Sequence, residues 1–190
     1  MKEAKSVLLV MDLQAGIVKG NLQDSAALAP FQQAIQTARN SGVPVIFVRV
    51  AFRSNYPEVS EKNKIFSAIS KRGGFTETDE ATQIVPEVAP LPEEPIVVKR
   101  RFSAFSGSDL QEILRAKHID KLVLAGISTS GVILSTVREA ADKDFEMVVL
   151  SDACADSDVQ VHDTLMQKVF PKQAEVMTVQ QWQESLQSME

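Results

Sequence analysis

Val7-Leu8-Leu9-Val10-Met11-Asp12-Leu13-Gln14 decides the fold: five apolar residues in succession, stopped by a carboxylate. A strand with one face in water would alternate apolar and polar side chains. A strand covered by helices on both faces is apolar at successive positions, which is the habit of parallel sheets. Four more stretches read the same way. They are Val43-Pro44-Val45-Ile46-Phe47-Val48, Pro95-Ile96-Val97-Val98, Leu122-Val123-Leu124-Ala125 and Met147-Val148-Val149-Leu150. A weaker sixth, Ala174-Glu175-Val176-Met177, reads as an edge strand.

Helical patterns lie between these runs. Ala26 to Asn40 repeats apolar residues at helical spacing and stops before Gly42. Ser108-Asp109 reads as an N-cap for the helix opening at Leu110. Ile133, Val137, Ala140 and Ala141 form one apolar stripe. Val159 to Phe170 follows, and Val179 to Met189 reads as a last helix. Alternating strands and helices imply right-handed crossovers, hence an α/β fold: three layers, doubly wound, with a six-stranded parallel sheet and helices on both faces. The stretch from Ala51 to Glu94 breaks the rhythm. With Pro57, Gly73, Gly74, Pro86, Pro90 and Pro92 it reads as a long excursion with short helical pieces, of the kind that forms lids or binding loops.

The 190 residues are enough for one domain spanning 1–190. A net charge of −5 argues against sequence-blind nucleic-acid binding, which needs clustered Lys and Arg. The N-terminus, Met1 to Lys5, precedes an apolar run too short to span a membrane. A cytoplasmic protein is expected, with neither a nucleic-acid nor a membrane partner. The single cysteine, Cys154, excludes an internal disulfide and a multi-cysteine zinc site. The two histidines, His118 and His162, are too isolated to suggest a metal site.

Open parallel sheets bind ligands at the carboxyl ends of their strands. The polar residues that directly follow the apolar runs are therefore the candidates. These are Asp12 and Gln14; Lys99, Arg100 and Arg101; Gly126, Ser128, Thr129 and Ser130; and Ser151 and Asp152. No Walker or G-x-G-x-x-G phosphate loop is present.

Four blocks carry a resemblance. They are Leu9-Val10-Met11-Asp12-Leu13-Gln14; Val98-Lys99-Arg100-Arg101-Phe102-Ser103-Ala104-Phe105; Leu124-Ala125-Gly126-Ile127-Ser128-Thr129 with Thr136-Val137-Arg138-Glu139-Ala140; and Val149-Leu150-Ser151-Asp152-Ala153-Cys154-Ala155. In order and spacing the chain resembles the isochorismatase-like (cysteine hydrolase) superfamily over nearly its whole length. The resemblance implies hydrolysis of a small, anionic metabolite by a homo-oligomer, dimer or tetramer, with Asp12 and Lys99 as catalytic residues. Gln14, Ser128, Thr129, Ser130, Gly131 and Val132 would line the site. Arg100 and Arg101 would be carboxylate clamps or a solvated basic pair, and Phe105 and Phe102 pocket walls or core. It also implies a cis peptide between Ser128 and Thr129.

Two departures matter. The position of the family's cysteine nucleophile falls on Val132, which has no nucleophilic atom, and Cys154 lies in a different block. The Asp and two His that nicotinamidase-type relatives carry after the second strand have no match in Val48 to Asn55, so no metal and no other cofactor are expected. Amidase members need the thiolate, whereas isochorismatases proper hydrolyse a vinyl ether without one. The expectation is thus hydrolysis by Asp12, as acid or base, and Lys99; the rival is a catalytically silent relative that binds a metabolite or a protein.

Overall fold

Gly126 lies opposite Met11 in a parallel ladder, and this pairing joins the two halves of the sheet. In the computed structural model, which describes residues 5–22 and 25–188, strands β1 (Ser6–Met11), β2 (Val45–Val50), β3 (Ile96–Lys99), β4 (Lys121–Ile127), β5 (Glu146–Ala155) and β6 (Glu175–Met177) form one sheet. All neighbours are parallel, in the order β3-β2-β1-β4-β5-β6. The chain winds outward from β1 to one edge, then crosses back and winds to the other. The switch point is between β1 and β4.

Successive residues of the strands serve opposite faces. Val7, Leu9, Met11, Leu122, Leu124 and Val149 pack with Leu110 and Leu114 of α4 (Leu110–Ala116) and with Val137 and Ala140 of α5 (Leu134–Ala141). Leu8, Val10, Val123, Ala125 and Val148 pack with Phe31, Ala34 and Ala38 of α2 (Ala29–Asn40) and with Val179 and Trp182 of α7 (Val179–Gln187). This double burial is why the runs are apolar throughout. The fold class is the one expected from the runs, and Glu175–Met177 is indeed an edge strand.

The differences are local. A short helix, α1 (Ala15–Asn21), buries none of its residues fully and so has no apolar stripe to announce it. Ser108, not Asp109, supplies the side-chain bond at the start of α4: Leu110 N–H donates to its Oγ at 3.3 Å. Ile133 belongs to a wide π-helical turn, Thr129–Ile133, that precedes α5. The helix expected over 159–170 is α6 (Val159–Thr164) followed by a second π-helical turn to Val169. Helix α7 ends at Gln187, and Met1 to Ala4 and Met189 lie outside the described residues. The excursion contains α3 (Lys64–Arg72), and its Phe52, Phe66 and Phe75 form a small apolar cluster with Val50 at the end of β2.

β5 is ten residues long and bulged: Val149 pairs with Leu124, but Cys154 pairs with Gly126. The extra residues turn Ser151 and Asp152 toward the C-terminal elements. Ser151 Oγ donates to the Met177 carbonyl at 3.2 Å, and Asp152 Oδ1 accepts the Val179 N–H at 2.8 Å at the start of α7. Among the described residues, no helix is long and apolar enough to cross a membrane.

Candidate functional site

Asp12 follows β1 directly, at the switch point where open α/β sheets place their ligands. Its backbone is left-handed, φ 59°, a conformation that non-glycine residues adopt at a cost. The strain is held by neighbours: Asp12 N–H donates to the Val48 carbonyl at 2.8 Å. The side chain is buried, and Oδ2 meets Lys99 Nζ at 2.8 Å. Oδ1 is enclosed without a hydrogen-bond partner.

Lys99 ends β3, and β2 lies between β3 and β1. The two residues therefore meet across the end of an intervening strand, not from adjacent strands. Lys99 is 2% exposed and also donates to the Arg101 carbonyl at 2.9 Å. Two effects act on the Asp12 carboxyl. Burial raises its pKa above the ordinary 3.8, and the Lys99 ammonium, with a smaller effect from the Val50 N–H, lowers it; burial wins. Asp12 is thus an acid that keeps its proton to higher pH than a solvated aspartate.

Gln14 is wholly buried, and its amide is engaged by main chain. Nε2 donates to the carbonyls of Val50 at 2.8 Å and Thr82 at 2.7 Å, and Oε1 accepts the Val50 N–H at 2.8 Å. It pins the end of β2 and the returning excursion beside Asp12.

The arginines point elsewhere. Arg100 pairs with Glu77, donates to the Ala51 carbonyl, and places Nε 3.2 Å from Glu58 Oε1. Arg101 donates to the carbonyls of Arg100 at 2.6 Å and Glu58 at 2.7 Å. Both line a cleft of about 950 Å³ with Glu58, Glu77 and Glu112, and the lining of that cleft includes neither Asp12 nor Lys99. The main chain of Arg101, not its guanidinium, reaches Lys99. Phe105 is core, its ring centroid 5.9 Å from that of Phe145, and Phe102 lies 4.8 Å from Phe66 on the excursion.

The turn after β4 starts at the same sheet end as Asp12, because Gly126 pairs with Met11. Its cis peptide is Ile127–Ser128, one residue before the bond expected to be cis. The Ser128 carbonyl accepts the N–H groups of Gly131 at 3.1 Å and Ile133 at 3.3 Å. Val132 is buried in the core, 2% exposed. Cys154 is also core: its Sγ lies 3.8 Å from the Leu124 carbonyl, and burial, with a smaller push from Asp152, raises the thiol to about 12.

Two residues that the sequence reading did not single out hold this turn. Asp156 Oδ2 accepts both the Ser130 N–H at 2.8 Å and the Ser130 hydroxyl at 2.7 Å. His162 Nδ1 shares a 2.8 Å hydrogen bond with Thr129 Oγ1. Asp156 directly follows β5, so the strand-end rule finds it once the strand is read through its bulge. For His162 the sequence offers no signal. Among the described residues, no cluster of three or more His, Cys, Asp or Glu is arranged to hold a metal ion.

The isochorismatase domain model matches residues 6–181. An uncharacterized isochorismatase family protein, YecD, of Escherichia coli O157:H7 is 28% identical over 187 residues, covering 93% of each chain. The ureidoacrylate amidohydrolase RutB of Stutzerimonas stutzeri is 31% identical over 175 residues, covering 80% of this chain and 71% of its own length. Among solved structures, an isochorismatase family protein from Burkholderia thailandensis superposes with a TM-score of 0.82 at 27% identity, over 96% of each chain. The chain belongs to the isochorismatase family of hydrolases.

Proposed function

We propose that this chain hydrolyses a small, anionic metabolite without a thiol nucleophile, with a vinyl ether as the bond broken. The observation that carries the reading is Asp12: a buried acid with one oxygen on Lys99, the other unpartnered, and its proton held by burial. In this reaction Asp12 gives its proton to the terminal vinyl carbon. Water adds to the resulting oxocarbenium carbon and loses a proton back to Asp12. The hemiketal then collapses to a ketone and an alcohol. Lys99 stabilises the carboxylate left after the first step. Val132, where the resemblance places the nucleophile of the family, and the buried Cys154 thiol argue against the amidase chemistry named for RutB.

Val132 also fits a second reading, a silent relative that only binds a ligand. The buried Asp12–Lys99 pair weighs against it. Burying an ammonium beside a carboxyl group costs free energy that an apolar pair would avoid, so a chain with no chemistry to perform gains little by keeping them.

The test is turnover of isochorismate, beside a panel of small amides, in D₂O. Vinyl protonation predicts a released pyruvate whose methyl group carries one solvent-derived deuterium. Cleavage of the amides alone would overturn the proposal, and turnover of neither class would favour the silent relative.

A further inference from the structure

Building on the hydrolase reading, we infer that His162 is a positioning residue that holds the turn Ser128–Val132 in its working geometry through the hydroxyl of Thr129. The turn follows the strand paired with β1, so the polar groups it presents stand at the end of the sheet where Asp12 sits. Groups that act on a reacting centre must be held to within a fraction of an ångström, and a turn does not hold itself that well.

Two ties fasten it to the segment after β5. Asp156 takes the N–H and hydroxyl of Ser130 at the surface. Inside, Thr129 is fully enclosed and His162, on α6, is its side-chain partner at 2.8 Å. The inner tie is not built as a nucleophile–base pair in a triad: the oxygens of Asp156 accept from Ser130 and from the Asp158 N–H at 3.2 Å, and among the described residues no carboxylate is hydrogen-bonded to the imidazole, although Asp156 feels its charge. The hydrogen bond also survives either state of the ring. An unprotonated Nδ1 accepts from the threonine hydroxyl, and a protonated one donates to it. His162 is thus placed to hold the Thr129 hydroxyl whichever tautomer it takes.

The test compares His162→Ala, His162→Asn, Thr129→Val and the double variant His162→Ala/Thr129→Val. The amide of His162→Asn puts a polar atom where Nδ1 stands. His162→Ala is expected to lower kcat about ten- to a hundredfold with KM within about twofold. The pH profile should keep its shape, His162→Asn should recover most of the loss, and the double variant should be no worse than the poorer single one. Deuterium uptake by residues 126–134 should rise in His162→Ala and return in His162→Asn. Uptake does not depend on turnover. A wild-type chain that hydrolyses nothing would therefore defeat the hydrolase reading alone and leave uptake to decide this one. Unchanged uptake, an unchanged kcat in an active chain, a lost limb of the pH profile, or losses that multiply in the double variant would each overturn it.

Discussion

Gly126 and Met11 stand so close that a Cβ on the glycine would lie 2.2 Å from the Met11 carbonyl oxygen. Gly126 also has φ +152°, which side-chain-bearing residues rarely adopt. The contact sets the spacing of β1 and β4 where Asp12 and the cis turn leave the sheet. Gly126→Ala must part the strands or distort the turn. We expect a loss of about 3 kcal/mol or more in urea unfolding. A variant of wild-type stability would show that the two strand ends yield easily.

Gln14 ties three backbone groups together. Gln14→Leu keeps the bulk and takes the side-chain partner from the N–H and carbonyl of Val50, while the Thr82 carbonyl keeps only Arg49 Nη1 at 3.2 Å. Each buried group left unpaired costs about 1–3 kcal/mol, so a total of about 3 kcal/mol is expected, with faster proteolysis near Thr82. Loss of stability without a change in cleavage there would separate Gln14 from the anchoring of the excursion.

The runs that made the sheet legible did so because helices on both faces leave no solvent side to a strand. The same reasoning pointed to Asp12 and Lys99 as candidates, at the strand ends where open sheets bind ligands, and the structure brings the two side chains into contact. It failed where geometry depends on contacts far apart in the chain. Nothing in the sequence says that Lys99 reaches across the end of β2, or that the guanidinium groups of Arg100 and Arg101 turn to Glu77, Glu58 and nearby carbonyls. The bulge in β5 moved Ser151 and Asp152 away from the turn and put Asp156 at the strand end, because the apolar run stops at Leu150 while the strand does not. Helix α1 escaped notice because none of its residues is fully buried.

The thiol of Cys154, raised to about 12, is almost wholly protonated at neutral pH. Iodoacetamide should leave the folded chain unmodified over hours and label it readily in urea. Rapid labelling of the native protein would mean that the core around Cys154 opens.

Asp12 fixes the sign of a pH effect on stability. Its folded pKa lies above the ordinary 3.8, so the native state holds a proton that the unfolded state releases. Stability from this group is present at low pH and is lost as pH rises from about 4 through the folded value. Asp12→Asn stays neutral throughout. The stability of Asp12→Asn minus that of wild type should therefore grow between about pH 4 and pH 7 in urea titrations. A difference that shrinks over that range would mean that Lys99 outweighs burial.

Hydrolysis by a buried acid without a thiol is tested by kcat/KM on isochorismate for wild type, Asp12→Asn and Cys154→Ala, each verified as folded by circular dichroism. A loss of about a thousandfold or more is expected for Asp12→Asn and of less than about threefold for Cys154→Ala. A folded Cys154→Ala that loses about a thousandfold, or an Asp12→Asn that keeps wild-type turnover, would contradict it.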